Sequence, residues 1–200
     1  MTVTTRTTEL EAVNTILSTI GEAPISTLTG SLPVDASIAK SVLDEICREV
    51  QSMGWHWNSH YKVDLSRDGN NKIPVGTDWL RVRLASKYDR SSYDVVQRDN
   101  YLYNLAKNEE TFDQDFDNTE VVYLLDFSKI PEQAKRYITI RAARVFHDRT
   151  LGANTLHKFS QEDERQALSI LRSAEANTGD YSIFDTPEQT YTISRSNRIY

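Results

Sequence analysis

Asp113, Asp115 and Asp117 stand in the D-x-D-x-D spacing that opens a calcium-binding loop. Such a loop needs glycine at its sixth position for the sharp turn and glutamate at its twelfth to offer two oxygens at once. Asn118 and Leu124 occupy those positions, so the carboxylates read as a solvated loop before a strand that starts near Val121. His56 and His60 are four apart, but H-W-N-S-H lacks the glutamate of a zinc-protease helix, and Gly54 has just ended helical spacing. Trp55 and Trp57 around them read as wedges at the junction between helices and strands. His147 with Asp148 invites a general-base role, with Thr150 and Thr155 as neighbouring hydroxyls; nothing in the sequence fixes these groups in space. Glu162, Asp163 and Glu164 fall near the start of a helix, where carboxylates complement its positive end. Cys47 sits on an apolar helix face, as a buried inert thiol does. The chain has no phosphate-binding glycine loop, no nucleophile elbow and no CxxC pair. No residue is assigned a catalytic, cofactor-binding or metal-binding role.

Tyr88, Tyr93, Tyr101 and Tyr103 cluster in the middle of the chain. Tyrosine joins a large apolar body to a polar tip, which suits an interface and an ordinary sheet core alike. Both readings stay open from sequence.

These groups are carried by 200 residues, 38% hydrophobic and 26% charged, with a net charge of -6. That acidity disfavours specific binding of DNA or RNA phosphates. A single cysteine allows no intrachain disulfide. The longest apolar run, Val121–Leu125, is far too short to span a bilayer. Met1–Thr8 is threonine-rich and reads as no signal peptide, which points to a soluble protein made in the cytosol.

The elements follow from periodicity. Thr8–Ile20 repeats Leu10, Val13, Leu17 and Ile20 at helical spacing, with Thr8 and Glu11 as a capping box and Gly21 as terminator. A loop with Pro24, Gly30 and Pro33 leads to a second helix, capped by Asp35 or Ser37 and running to Met53. Its apolar side holds Ile38, Val42, Ile46, Val50 and Met53, broadened by Leu43 and Cys47. Alternation then replaces helical spacing. Tyr61–Leu65, Leu80–Leu84, Tyr93–Val96, Asn100–Leu105 and Val121–Phe127 are strand candidates, with Asp68-Gly69-Asn70-Asn71 as a turn. Pro131 opens a third helix with Ala134, Tyr137, Ile138, Ala142, Val145 and Phe146 inward and Lys135, Arg136 and Arg144 mostly outside. After Gly152 a fourth helix, about Thr155 to Asn177, places Leu156, Phe159, Asp163, Ala167, Ile170, Leu171 and Ala174 on one side.

The expected fold is therefore α+β: an antiparallel bundle of about four helices with an inserted antiparallel β-region and an extended C-terminal tail. Residues 1–58 and 129–179 form the bundle, residues 59–128 the β-region and residues 180–200 the tail. The tail has no helical period yet keeps Tyr181, Ile183, Phe184, Tyr191, Ile193, Ile199 and Tyr200, with Arg195 and Arg198. Apolar anchors on a segment too short to fold alone suit docking on a partner; packing on its own domain is the other reading.

Three stretches carry a resemblance. Leu10–Gly30 (LEAVNTILSTIGEAPISTLTG), Val50–Asn58 (VQSMGWHWN) and Arg141–Ala153 (RAARVFHDRTLGA) resemble the tail tubular protein A family, the head–tail adaptors, or gatekeepers, of short-tailed bacteriophages. The likeness runs from about Glu9 to about Asp180. It implies a helix bundle with an inserted β-domain, assembled as a twelve-fold ring beneath the portal protein, with the tail nozzle protein below and tail fibres at the side. DNA would pass through the lumen without specific binding, and the chain would be made and assembled in the bacterial cytoplasm as part of the virion tail. The nine tail residues named above become portal-binding candidates, and the four tyrosines further interface candidates. A hydrolase of bacterial surface polysaccharide or cell wall, using paired carboxylates, is the alternative; a small host binding module is a third reading.

Overall fold

The computed structural model describes residues 5–152 and 154–179. Four helices, α1 (Glu9–Ser18), α2 (Val34–Ser52), α3 (Glu132–Leu151) and α4 (Asn154–Gly179), enclose the sequence of five strands: β1 (Ser59–Leu65), β2 (Trp79–Arg83), β3 (Val95–Arg98), β4 (Tyr101–Asn104) and β5 (Phe116–Tyr123). The α+β order expected from sequence is the order observed.

Helix α1 begins with a reciprocal cap: the Thr8 hydroxyl accepts from Glu11 N (3.2 Å) and Thr8 N donates to the Glu11 carboxylate (2.7 Å). Gly21 (φ 80°) turns the chain out so that Glu22 N reaches back to Leu17 O at 3.2 Å. Helix α2 starts earlier than expected. Neither Asp35 nor Ser37 caps it; Pro33 holds that place, and Asp35 lies within the first turn. Proline has no N–H to satisfy, and its ring fixes a φ of -51° here.

Helix α3 is the centre of the bundle and packs against α1, α2 and α4. A helix covered on several sides needs more than one apolar stripe, so Thr139, Ala143 and His147 are buried beside Ala134, Tyr137, Ile138, Ala142 and Phe146. Lys135, read from sequence as outward, is 2% exposed. Its ammonium donates to Thr7 O (2.8 Å) and lies over the Phe127 ring, 5.4 Å from the centroid.

Two stripes differ from the sequence reading at particular positions, while Val42, Leu43, Ile46, Cys47 and Val50 of α2 and Ala167 and Leu171 of α4 are buried as expected. On α2, Ala36 and Ala39 are buried while Ile38 and Met53 are exposed. On α4, Glu164, Ala167 and Leu171 are buried, whereas Asp163 and Ile170 face solvent. On α4 the inward place of Glu164 is set by Arg141 and Arg144 of α3, which it accepts from.

The β-region forms two sheets. One has order β1-β5-β2, all antiparallel, and the other is the β3–β4 hairpin. Strand β5 starts at Phe116, five residues before the expected Val121, and Phe127 lies in a 3-10 turn (Phe127–Lys129) rather than in the strand. Asp117 is therefore a strand residue, not loop. Strand β3 begins at Val95 because Tyr93 N bonds Asp89 O (2.9 Å) in a turn.

The described residues form two cores. The helical core joins all four helices and includes Trp55. A smaller one gathers Leu65, Ile73, Leu102, Phe112 and Phe116, with Tyr88 and Tyr93 packed against it. Each fully buried large side chain contributes roughly 1.5–3 kcal/mol. No helix among the described residues is long and apolar enough to cross a membrane.

Candidate functional site

The residues that join the two layers are polar and buried. Gln51, on the last turn of α2, uses its side-chain amide as a strand uses its backbone. Its Nε2 donates to Leu125 O (2.9 Å) and its Oε1 accepts from Leu125 N (2.7 Å). Asn58, in the 3-10 turn His56–Asn58, accepts from Trp55 N (2.8 Å) and donates to Gln51 O (2.9 Å) and Tyr123 O (2.8 Å). The Trp55 indole donates to Val50 O at 2.7 Å. Gly54 (φ 76°) permits this approach, since a side chain there would meet the Arg81 guanidinium and the Val122 methyl. His56 N donates to the Glu175 carboxylate, which brings α4 to the same junction. Trp55 and Trp57 thus sit where the sequence placed them. Gln51 and Asn58 were not singled out; the available signal was Gln51 lying four residues after Cys47 on the apolar face of α2.

A second polar cluster ties α4 to the bundle. Glu164 is 8% exposed and accepts from Arg141 (2.8 Å) and from Arg144. Arg141 also donates to Glu49 of α2 (2.6 Å), and Arg144 to Asp148 (3.2 Å). Burial works against the Arg141 charge, but the bonds to Glu49 and Glu164 more than offset it and hold its pKa above the ordinary value. The Glu164 bond raises the Arg144 pKa as well. The helix-dipole reading of Glu164 is corrected here: it lies about three turns into α4, beyond the reach of the helix end. Glu162 pairs with Arg165 and is exposed, as is Asp163.

The three aspartates diverge. Asp113 accepts from the Tyr93 hydroxyl (2.5 Å), Asp115 from Arg67 N (3.0 Å) and Nε (2.9 Å), and Asp117 from Lys87 and Tyr88. These partners lower all three carboxyl pKa values. They hold the loop together and share no central point; no group of three or more His, Cys, Asp or Glu among the described residues could hold a metal ion.

His56 and His60 lie in different elements, the 3-10 turn and β1, and the His60 ring packs 4.6 Å from that of Tyr123. His147 is buried with Nδ1 3.9 Å from Asp148, and the Thr150 hydroxyl donates to Phe146 O (2.8 Å) instead of to the imidazole. The Thr155 side chain lies outside the described residues. Cys47 is buried, its pKa is pushed up by burial, and its sulfur accepts from Gln51 (3.2 Å).

The four tyrosines divide into two pairs. Tyr88 and Tyr93 meet Phe116 edge-on, with centroids 4.8 and 5.1 Å away, and so line the smaller core. Tyr101 and Tyr103 alternate with buried Leu102 and Asn104 on β4 and therefore share its other side. Lys72 lies over the Tyr101 ring at 5.3 Å and Arg98 over the Tyr103 ring at 3.6 Å. Both tyrosines are half-buried, each with a cation over its ring. The nine tail candidates, from Tyr181 to Tyr200, lie outside the described residues.

A family model described as tail tubular protein matches residues 10–181 and so spans both the bundle and the β-region. Comparison with curated proteins gives no match.

Proposed function

The chain belongs to the tail tubular protein family, structural components of the phage virion tail, and on that premise we propose that it is a head–tail adaptor. Copies form a ring, expected to be twelve-fold, between the portal protein and the tail nozzle protein, with tail fibres docking at its side. The ring is assembled in the bacterial cytoplasm and has no catalytic role.

The observation that carries this reading is the buried junction between the two layers. An adaptor passes load from one neighbour to another, so its parts must not slip. Gln51 and Asn58 lock α2 to the Tyr123–Leu125 backbone through three hydrogen bonds, and a fourth ties Asn58 to Gln51 O. Charge fits as well. Copies carrying -6 each make a strongly acidic ring, which repels phosphates and lets a duplex slide as cargo. Division of labour follows the layers: residues 1–58 and 129–179 build the ring body, residues 59–128 present Tyr101 and Tyr103 to a tail partner, and residues 180–200 dock on the portal.

Removal of residues 180–200 tests the portal assignment. The shortened chain is expected to keep its circular dichroism and thermal transition while portal binding, measured by interferometry, falls at least about tenfold, or ~1.4 kcal/mol. Loss of folding would place the tail in the core instead, and unchanged binding would remove it from the portal contact.

A further inference from the structure

Helices α1 and α4 both pack on α3 without building a packed face of their own, and between them a strip of α3 stays open. The resulting groove, about 470 Å³, has Glu132, Gln133, Arg136 and Ile140 of α3 along its floor, Thr15 of α1 on one wall and Ile170 of α4 on the other; the Glu132 carboxylate is engaged by Thr7 N at 3.1 Å. Ile170 is 44% exposed. Arg136 is exposed and makes no hydrogen bond or ion pair with any described residue.

The complementary feature lies on a different part of the bundle. At the start of α2, Val34 is 73% and Ile38 is 46% exposed, and their spacing of four puts them on one side of the helix. Asp35 stands between them, also without a partner among the described residues. Other opposite charges of α2 and α3 are already paired within the chain, Glu45 with Arg149 and Glu49 with Arg141, which leaves Asp35 and Arg136 as an acid and a base without partners among the described residues.

We propose that the groove on α3 receives the Val34–Ile38 end of α2 from the next copy of this chain, with Asp35 meeting Arg136. The contact rests on the adaptor reading and gives it a subunit seam. It joins two different surfaces of the same chain, so it is heterologous, the kind of contact that closes a ring instead of a dimer. Burying Val34, Ile38 and Ile170 together removes three of the largest exposed aliphatic groups from water, and one ion pair fixes the register.

Cysteine pairing tests the seam in rings assembled with the portal protein and checked by negative-stain imaging. The chain carrying both Ile38→Cys and Ile170→Cys is expected to give, on mild oxidation, a ladder of linked dimers, trimers and higher species on a non-reducing gel. Either substitution alone should give no ladder, and buried Cys47 is present in all three chains as an internal control. Arg136→Glu is expected to lower ring yield about tenfold, and Asp35→Arg in the same chain to restore it. Rings without the ladder mean that another segment fills the groove, such as residues 180–200 or part of the portal, and overturn the seam alone. Dimers from a single cysteine would mean an isologous contact and overturn it too, as would failure of the charge swap to restore assembly. Absence of rings from the unmodified chain would overturn the adaptor reading itself.

Discussion

Glu164→Ala is expected to destabilise the protein by about 3 kcal/mol, because removing the most buried member of an ion cluster leaves two part-buried arginines each short of one acceptor. Arg141 and Arg144 would keep their charges in part-buried positions and lose their shared acceptor on α4. The loss falls on the attachment of α4, since Arg141 keeps Glu49 and Arg144 keeps Asp148. Amides of residues 161–178 should therefore exchange with deuterium well before those of α1–α3. Glu164→Gln retains an acceptor oxygen and is expected to cost about half as much. A change below about 0.5 kcal/mol for the alanine variant would mean that the cluster behaves as a surface ion pair and does not secure α4.

Asn58→Ala is the second large effect. It removes an acceptor from Trp55 N and a donor from two carbonyls, Gln51 O and Tyr123 O, in a region with little water to replace them. Leaving such groups unsatisfied costs roughly 1–3 kcal/mol each, and partial relaxation brings the expected total to about 3 kcal/mol. The qualitative result matters as much as the size. With the junction weakened, the bundle and the β-region should melt in two separable steps, read by far-ultraviolet circular dichroism and by tryptophan fluorescence. A single transition at the original temperature would deny the junction its coupling role.

Local features were the legible ones. The Thr8–Glu11 box and the stop at Gly21 involve residues within a turn of one another, so their chemistry is written in adjacent letters. The turn at Asp68 is of the same kind: its carboxylate accepts from Asn70 N and Lys72 N at 2.8 and 2.9 Å. What escaped the sequence depends on distant partners. Lys135 looked like a surface cation until its ammonium found Thr7 O, 128 residues away. Gln51 drew no notice in the sequence because its partner, Leu125, lies 74 residues on. On α4 the inward place fell to Glu164 and not Asp163 for a related reason: Glu164 is charged, yet two arginines of α3 make it the buried member. The tyrosines show the limit most clearly, since composition alone could not assign Tyr88 and Tyr93 to the core and Tyr101 and Tyr103 to the outer face. The portal-binding candidates in residues 180–200 rest on sequence only.

The central claim is assembly into an adaptor ring. Its most direct measurement is native mass spectrometry of the purified chain, alone and mixed with its portal and nozzle proteins, with imaging of the same mixture. The expected result is a chain that is monomeric or weakly associated when alone and forms a closed ring of twelve copies with a partner. A chain that stays monomeric and ignores both proteins would contradict the account.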